Sequence, residues 1–95
     1  MKYQATKKVT GGKLVRVKIE ADDMIRDMKI YGDFFLHPED SIPYIEERLH
    51  GLSRGSSQEI FAQEIEKALA ERRAAFIGIT PDDLAATIME ALEAE

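Results

Sequence analysis

The chain has 95 residues, no cysteine and a net charge of −5. Its length predicts a single domain, residues 1–95, and its 44% apolar content supports one modest core. The absence of cysteine excludes disulfides, thiolate metal sites and thiol catalysis.

No N-terminal apolar run has the form of a signal peptide, and no stretch reaches the ~18 apolar residues of a membrane span. The expectation is a cytoplasmic chain. Its charge is unevenly spread. Residues 1–36 hold 8 Lys/Arg against 5 Asp/Glu, and residues 37–95 hold 5 against 13. Residues 1–18 hold six basic side chains and no acidic one: Lys2, Lys7, Lys8, Lys13, Arg16 and Lys18. This fits a solvated strand face beside acidic helices, or a basic surface that meets an anion or an acidic partner.

Tyr3, Ala5 and Val9 alternate with Gln4, Thr6 and Lys8, which predicts a first strand, with Lys7 interrupting its apolar face. Thr10-Gly11-Gly12-Lys13 predicts a hairpin turn, since Gly-Gly supplies the positive φ that tight turns need. Val15, Val17, Ile19 and Ala21 alternate with Leu14, Arg16, Lys18 and Glu20 to give the clearest strand. Asp22-Asp23 forms a short turn into a third strand from Met24 to Leu36. Its even positions (Met24, Arg26, Met28, Ile30, Gly32, Phe34, Leu36) form an apolar face spoiled only by Arg26. Gly32 interrupts that strand and marks a bulge or a close backbone approach. Pro38 biases His37 away from helix and ends the strand near Leu36.

Ile42, Ile45, Leu49 and Leu52 then recur at helical spacing. Ser56 with Glu59 forms a capping box, predicting a second helix from about Ser57 to Ala75. Its buried stripe would hold Phe61, Ile65, Ala68, Leu69 and Phe76, with Ile60 widening it; Gly78 breaks it. Thr80-Pro81-Asp82-Asp83 starts a third helix, with Ile79 and Leu84 at the staple positions and Leu84, Ile88, Ala91 and Leu92 inward. The order implies an α+β fold: a three-stranded antiparallel meander followed by three helices packed on one face.

Catalytic and metal-binding patterns are missing. Thr10-Gly11-Gly12-Lys13-Leu14 lacks the first glycine and the Ser/Thr of a P-loop. His37 and His50, the only histidines, share no metal-ligand spacing, and nothing orients either as a base. Asp22-Asp23 and Asp82-Asp83 have structural reasons to sit at a turn and a helix start. No nucleophile–base–orienter set is visible, so the chain reads as non-catalytic by itself and as binding no cofactor or metal. Nucleic acid is disfavoured: the basic hairpin holds Tyr3 as its only aromatic, where a stacking platform needs two or three.

Phe35 follows Phe34 and so points to the opposite face. It lies either under an incoming segment or at a partner interface, where aromatics are enriched. Gly32-Asp33-Phe34-Phe35, followed by Pro38-Glu39 and by Ile42, Ile45, Glu46, Leu49 and Gly51, resembles the accessory domain of lipoate–protein ligases. Gly12-Lys13-Leu14 before a Val/Ile strand is similar to that family as well. The resemblance covers residues 3–51 well and the last two helices in pattern. It implies a non-catalytic subunit. In this family a large chain binds lipoate, ATP and magnesium and makes lipoyl-adenylate. That chain then passes the lipoyl group to a lysine of a lipoyl domain or of glycine-cleavage H protein.

The accessory domain serves the adenylation half-reaction, and in some organisms it is a separate small chain, as the starting methionine and one-domain length fit here. The expected partner is thus a catalytic ligase chain in a heterodimer. Gly32, Asp33, Phe34, Phe35 and Pro38 stand as structural or interface determinants. Lys13, Arg16 and Lys18 stand as electrostatic contacts on charge alone. Two other readings remain open: an interaction module for an unrelated partner, and a small RNA-binding domain using the basic hairpin.

Overall fold

The computed structural model describes residues 1–9 and 11–93. Strands β1 (Lys2–Lys8), β2 (Leu14–Ala21) and β3 (Ile25–Gly32) form an antiparallel meander in the order β1-β2-β3. A short strand β4 (Phe35–His37) follows, then helices α1 (Ser41–Leu49) and α2 (Gln58–Arg72), strand β5 (Ala75–Ile77) and helix α3 (Pro81–Glu93). The expected α+β meander and its three following helices are present. The expected third strand from Met24 to Leu36 is split: β3 stops at Gly32, and Phe35–His37 form β4, which pairs antiparallel with the unexpected β5 as a separate two-stranded sheet.

Alternation decides which face of the meander is covered. Val15, Val17, Ile19 and Ala21 of β2 are all buried, while Leu14, Arg16, Lys18 and Glu20 are exposed. Helix α3 packs on β1 and β2, α1 packs on β3, and α2 rests on both helices. The fully enclosed side chains of the core include Val15, Val17, Ile25, Ile45, Leu49, Phe61, Ile65, Leu84 and Ile88. Among the described residues the opposite face of the meander is exposed to water.

Strand β3 departs from the simple even-in pattern. The ladder pairs Glu20 with Asp27 and then Ala21 with Ile25, leaving Arg26 as the extra residue of a bulge. Ile25 therefore turns inward in place of Met24, and both Arg26 and Asp27 face water. This removes the charge that spoiled the apolar face, and it puts the bulge at Arg26 and not at Gly32. Lys7 is accommodated too: its Nζ bonds Glu90 Oε2 of α3 at 3.1 Å.

The turns behave as their residues dictate. Gly11 and Gly12 adopt φ of 91° and 84°, and Gly12 N–H donates to the Val9 carbonyl at 2.9 Å. Thr10, the first residue of that expected turn, lies outside the described residues. Asp22 Oδ1 accepts from Met24 N–H and from Arg26 Nε, each at 3.0 Å.

The helix ends bring three corrections. The cap of α2 is Ser57, whose Oγ accepts from Ile60 N–H at 3.2 Å, because Ser56 N–H is held in a turn by the Ser53 carbonyl. Ile60 is exposed and does not widen the stripe. Helix α2 stops at Arg72, since Arg73 takes a left-handed φ of 51°. Ala74 N–H then reaches the Leu69 carbonyl and Arg73 N–H the Ala70 carbonyl, a Schellman ending with arginine where glycine is usual. The chain leaves as β5, so Phe76 belongs to a strand and not to the α2 stripe. At α3 the expected cap holds: Thr80 Oγ1 accepts from Asp83 N–H while Asp83 Oδ2 accepts from Thr80 N–H.

Candidate partner-docking site

Three chain segments meet at the hairpin end of the molecule: the start of β2, the Gly32–Phe35 step, and the turn after β5. Gly32 is required there by close approach. A Cβ on it would lie 2.1 Å from the Leu14 carbonyl oxygen and 2.7 Å from the Phe34 ring. Asp33 then clamps the same residue twice. Its Oδ1 accepts from Leu14 N–H at 2.5 Å, and its own N–H donates to the Leu14 carbonyl at 3.2 Å. A hydrogen bond to an ionised carboxylate is among the stronger kind.

Phe34 is half-buried and meets Phe76 edge-on, with ring centroids 5.6 Å apart, so β5 is tied to this step. The Lys13 stem lies against Gly78, its Cγ 3.2 Å from where a Cβ would stand. A side chain at position 78 would displace it.

With these groups fixed, Phe35 has nowhere to go but outward. It is 63% exposed. No incoming segment among the described residues covers it. In the small sheet Phe35 pairs with Ile77, itself 59% exposed, while Leu36 and Phe76 turn to the core side. Tyr31, Gly32 and Phe35 line one hollow together with Glu39 and Ile42. Tyr31 and Gly32 also line a second, with Leu14, Thr6, Arg16 and Lys18. The exposed apolar side chains Leu14, Tyr31, Phe35 and Ile77 are thus joined into one surface.

The expected cations fall around this surface. Arg16 lies across the ladder from Tyr31 and its Nε donates to Thr6 Oγ1 at 3.0 Å. Lys18 Nζ stands 5.9 Å from the Tyr31 ring centroid. Lys13, Arg16 and Lys18 form no ion pair among the described residues, whereas Arg48, Lys67 and Arg72 on the helical side all do. Pro38 is set apart. It lines neither hollow, and its carbonyl accepts Ser41 N–H at the entrance to α1. Tyr3, on the helix-facing side of β1, packs under the Arg54 guanidinium and leaves Tyr31 as the one tyrosine of the open sheet face among the described residues.

Sequence reasoning missed Ile77, which lies just past the expected helix, and the role of Glu46. Glu46 Oε2 accepts Ile30 N–H at 2.7 Å and so satisfies the outer edge of β3. Burial pushes this carboxyl above its ordinary range, with the Ile30 bond opposing. Glu71, by contrast, is held below its ordinary range by the Tyr44 hydroxyl and then by Arg48.

Among the described residues no group of three or more His, Asp or Glu comes together to hold a metal ion, and His37 and His50 make no side-chain hydrogen bond. No helix is long and apolar enough to cross a membrane. What the fold and this end of it define is a compact α+β domain presenting a pinned apolar surface beside unpaired cations.

Residues 1–88 match the family described as bacterial lipoate protein ligase C-terminus, and the chain belongs to that family. It is 44% identical over 54 residues to lipoate-protein ligase A subunit 2 of Thermoplasma acidophilum. That match spans 56% of this chain and 56% of the relative, about half the length of each. The fold superimposes with a TM-score of 0.73 and 30% identity on a chain from a structural analysis of an archaeal lipoylation system. That system is described as a bi-partite lipoate protein ligase and its E2 lipoyl domain from Thermoplasma acidophilum. The superposition covers 100% of this chain and 98% of the other.

Proposed function

We propose that this chain is the accessory subunit of a two-chain lipoate–protein ligase, acting in ATP-dependent formation of lipoyl-adenylate by a separate catalytic chain. One observation supports this above the rest: the chain aligns along nearly the whole of a chain from the structure described as a bi-partite lipoate protein ligase and its E2 lipoyl domain. Its family membership agrees with that division of labour.

Lipoate, ATP and magnesium belong to the catalytic chain in this reading. Adenylation joins a carboxylate to a triphosphate, and it gains from fixed positive charge and from exclusion of water. The accessory chain brings no reacting group. It selects the partner's adenylating arrangement by binding that arrangement more tightly than the others. The lipoyl group then passes to a lysine of a lipoyl domain or of glycine-cleavage H protein. Titrating this chain into the catalytic chain and following lipoate-dependent pyrophosphate release tests the proposal. Release should rise with added chain and saturate near equimolar amounts. A flat response would contradict it.

A further inference from the structure

The geometry points to the outer face of the β4–β5 ribbon, continued through Tyr31 to Leu14, as the surface on which the catalytic chain docks. The inference rests on the ligase reading above and adds where contact is made.

A ribbon of two three-residue strands is not stable by itself. Here it is held by Leu36, which is buried, and by the Phe34–Phe76 contact, yet its other side offers Phe35 and Ile77 to water. Among the described residues seven large apolar side chains are exposed: Met1, Leu14, Met24, Tyr31, Phe35, Ile60 and Ile77. Four of them fall on this one surface. Scattered exposure needs no explanation, but a joined patch marks an interaction site.

The charge pattern chooses the occupant. Lys13, Arg16 and Lys18 border the patch without ion partners among the described residues; of the carboxylates there, Asp33 is engaged with Leu14 N–H and Glu39 lies at the far rim, beside Ile42. A partner surface with an apolar centre flanked by carboxylates satisfies both features. A nucleic acid fits less well, because it could stack only on Tyr31 and Phe35 and would leave the aliphatic Leu14 and Ile77 without apolar cover.

The test is calorimetric titration of this chain, wild type and variants, into the catalytic lipoate-ligase chain encoded by the same genome. Phe35→Ser and Ile77→Ser should each weaken binding by about tenfold or more, as central contacts do. Arg16→Glu combined with Lys18→Glu should slow association and flatten its salt dependence. Glu66→Lys, on the exposed side of α2, should bind as wild type. Circular dichroism melts establish that each variant is folded, and two independent apolar variants guard against one failing.

Wild-type affinity in both apolar variants would overturn the surface while leaving the ligase reading intact. Weakening by Glu66→Lys alone would do the same and move the contact to the helices. Failure of the wild-type chain to bind would count against the ligase reading itself. A mass of two copies for the isolated chain, falling to one in Phe35→Ser, would assign the patch to self-association and overturn the proposal.

Discussion

Gly32 has no room for a side chain, and Phe35 has no cover. These neighbours serve different ends, and substitution separates them. In Gly32→Ala the new methyl meets the Leu14 carbonyl oxygen, which cannot swing away because Asp33 N–H is bonded to it. Overpacking of this kind costs about 1–3 kcal/mol. For a domain of this size each kcal/mol lowers Tm by roughly 4–8 °C, so the variant should melt well below wild type. Phe35→Ser removes a ring that is already mostly in water, and its Tm should stay within a few degrees. Thermal melts followed by circular dichroism check both. Equal melting of Gly32→Ala and wild type would show that the β2–β3 end is looser than drawn. The sequence showed that Gly32 and Phe35 were unusual, through a glycine in a strand and two successive rings on opposite faces. It could not show that Leu14, far along the chain, was the reason.

At the scale of elements, legibility followed periodicity. Strand β2 and helix α3 could be read residue by residue, because one face alternates cleanly and the other has its cap and staple. Strand β5 could not. Three residues cannot display a period, and Phe76 falls at a spacing that continues the α2 stripe. The ending that would have exposed the error is built on Arg73, where a glycine would have announced it. The bulge at Arg26 was hidden for a related reason: one extra residue reverses the in–out pattern, and only pairing with β2 reveals it.

The β3–α1 junction carries the pH prediction. Glu46 accepts Ile30 N–H, yet burial raises its carboxyl above the ordinary range. A carboxyl whose folded value is raised penalises the fold where it is ionised in both states. That penalty disappears as pH falls below the ordinary value of about 4.5 and the group is protonated in both states. Glu46→Gln keeps an acceptor for Ile30 and removes the charge. Its urea midpoint should exceed wild type at pH 7 and converge on it below pH ~4. A midpoint lower than wild type at pH 7 would mean that the Ile30 bond needs the full charge.

The whole molecule is two-sided. Its helical side is acidic, and Arg48, Lys67 and Arg72 there are ion-paired, as the Arg48, Glu64 and Glu71 cluster between α1 and α2 illustrates. Its open sheet side and hairpin end hold cations without ion partners among the described residues, next to joined apolar side chains. Such an object offers a broad surface for contact. On the proposed reading it shapes another chain's site, which would divide the ligase reaction into a half that needs it and a half that does not. The decisive measurement supplies the catalytic chain either with lipoate and ATP or with preformed lipoyl-adenylate, and follows lipoylation of a carrier domain with and without this chain. Lipoylation should depend strongly on this chain in the first case and little in the second. Equal dependence in both, or none in the first, would contradict that reading.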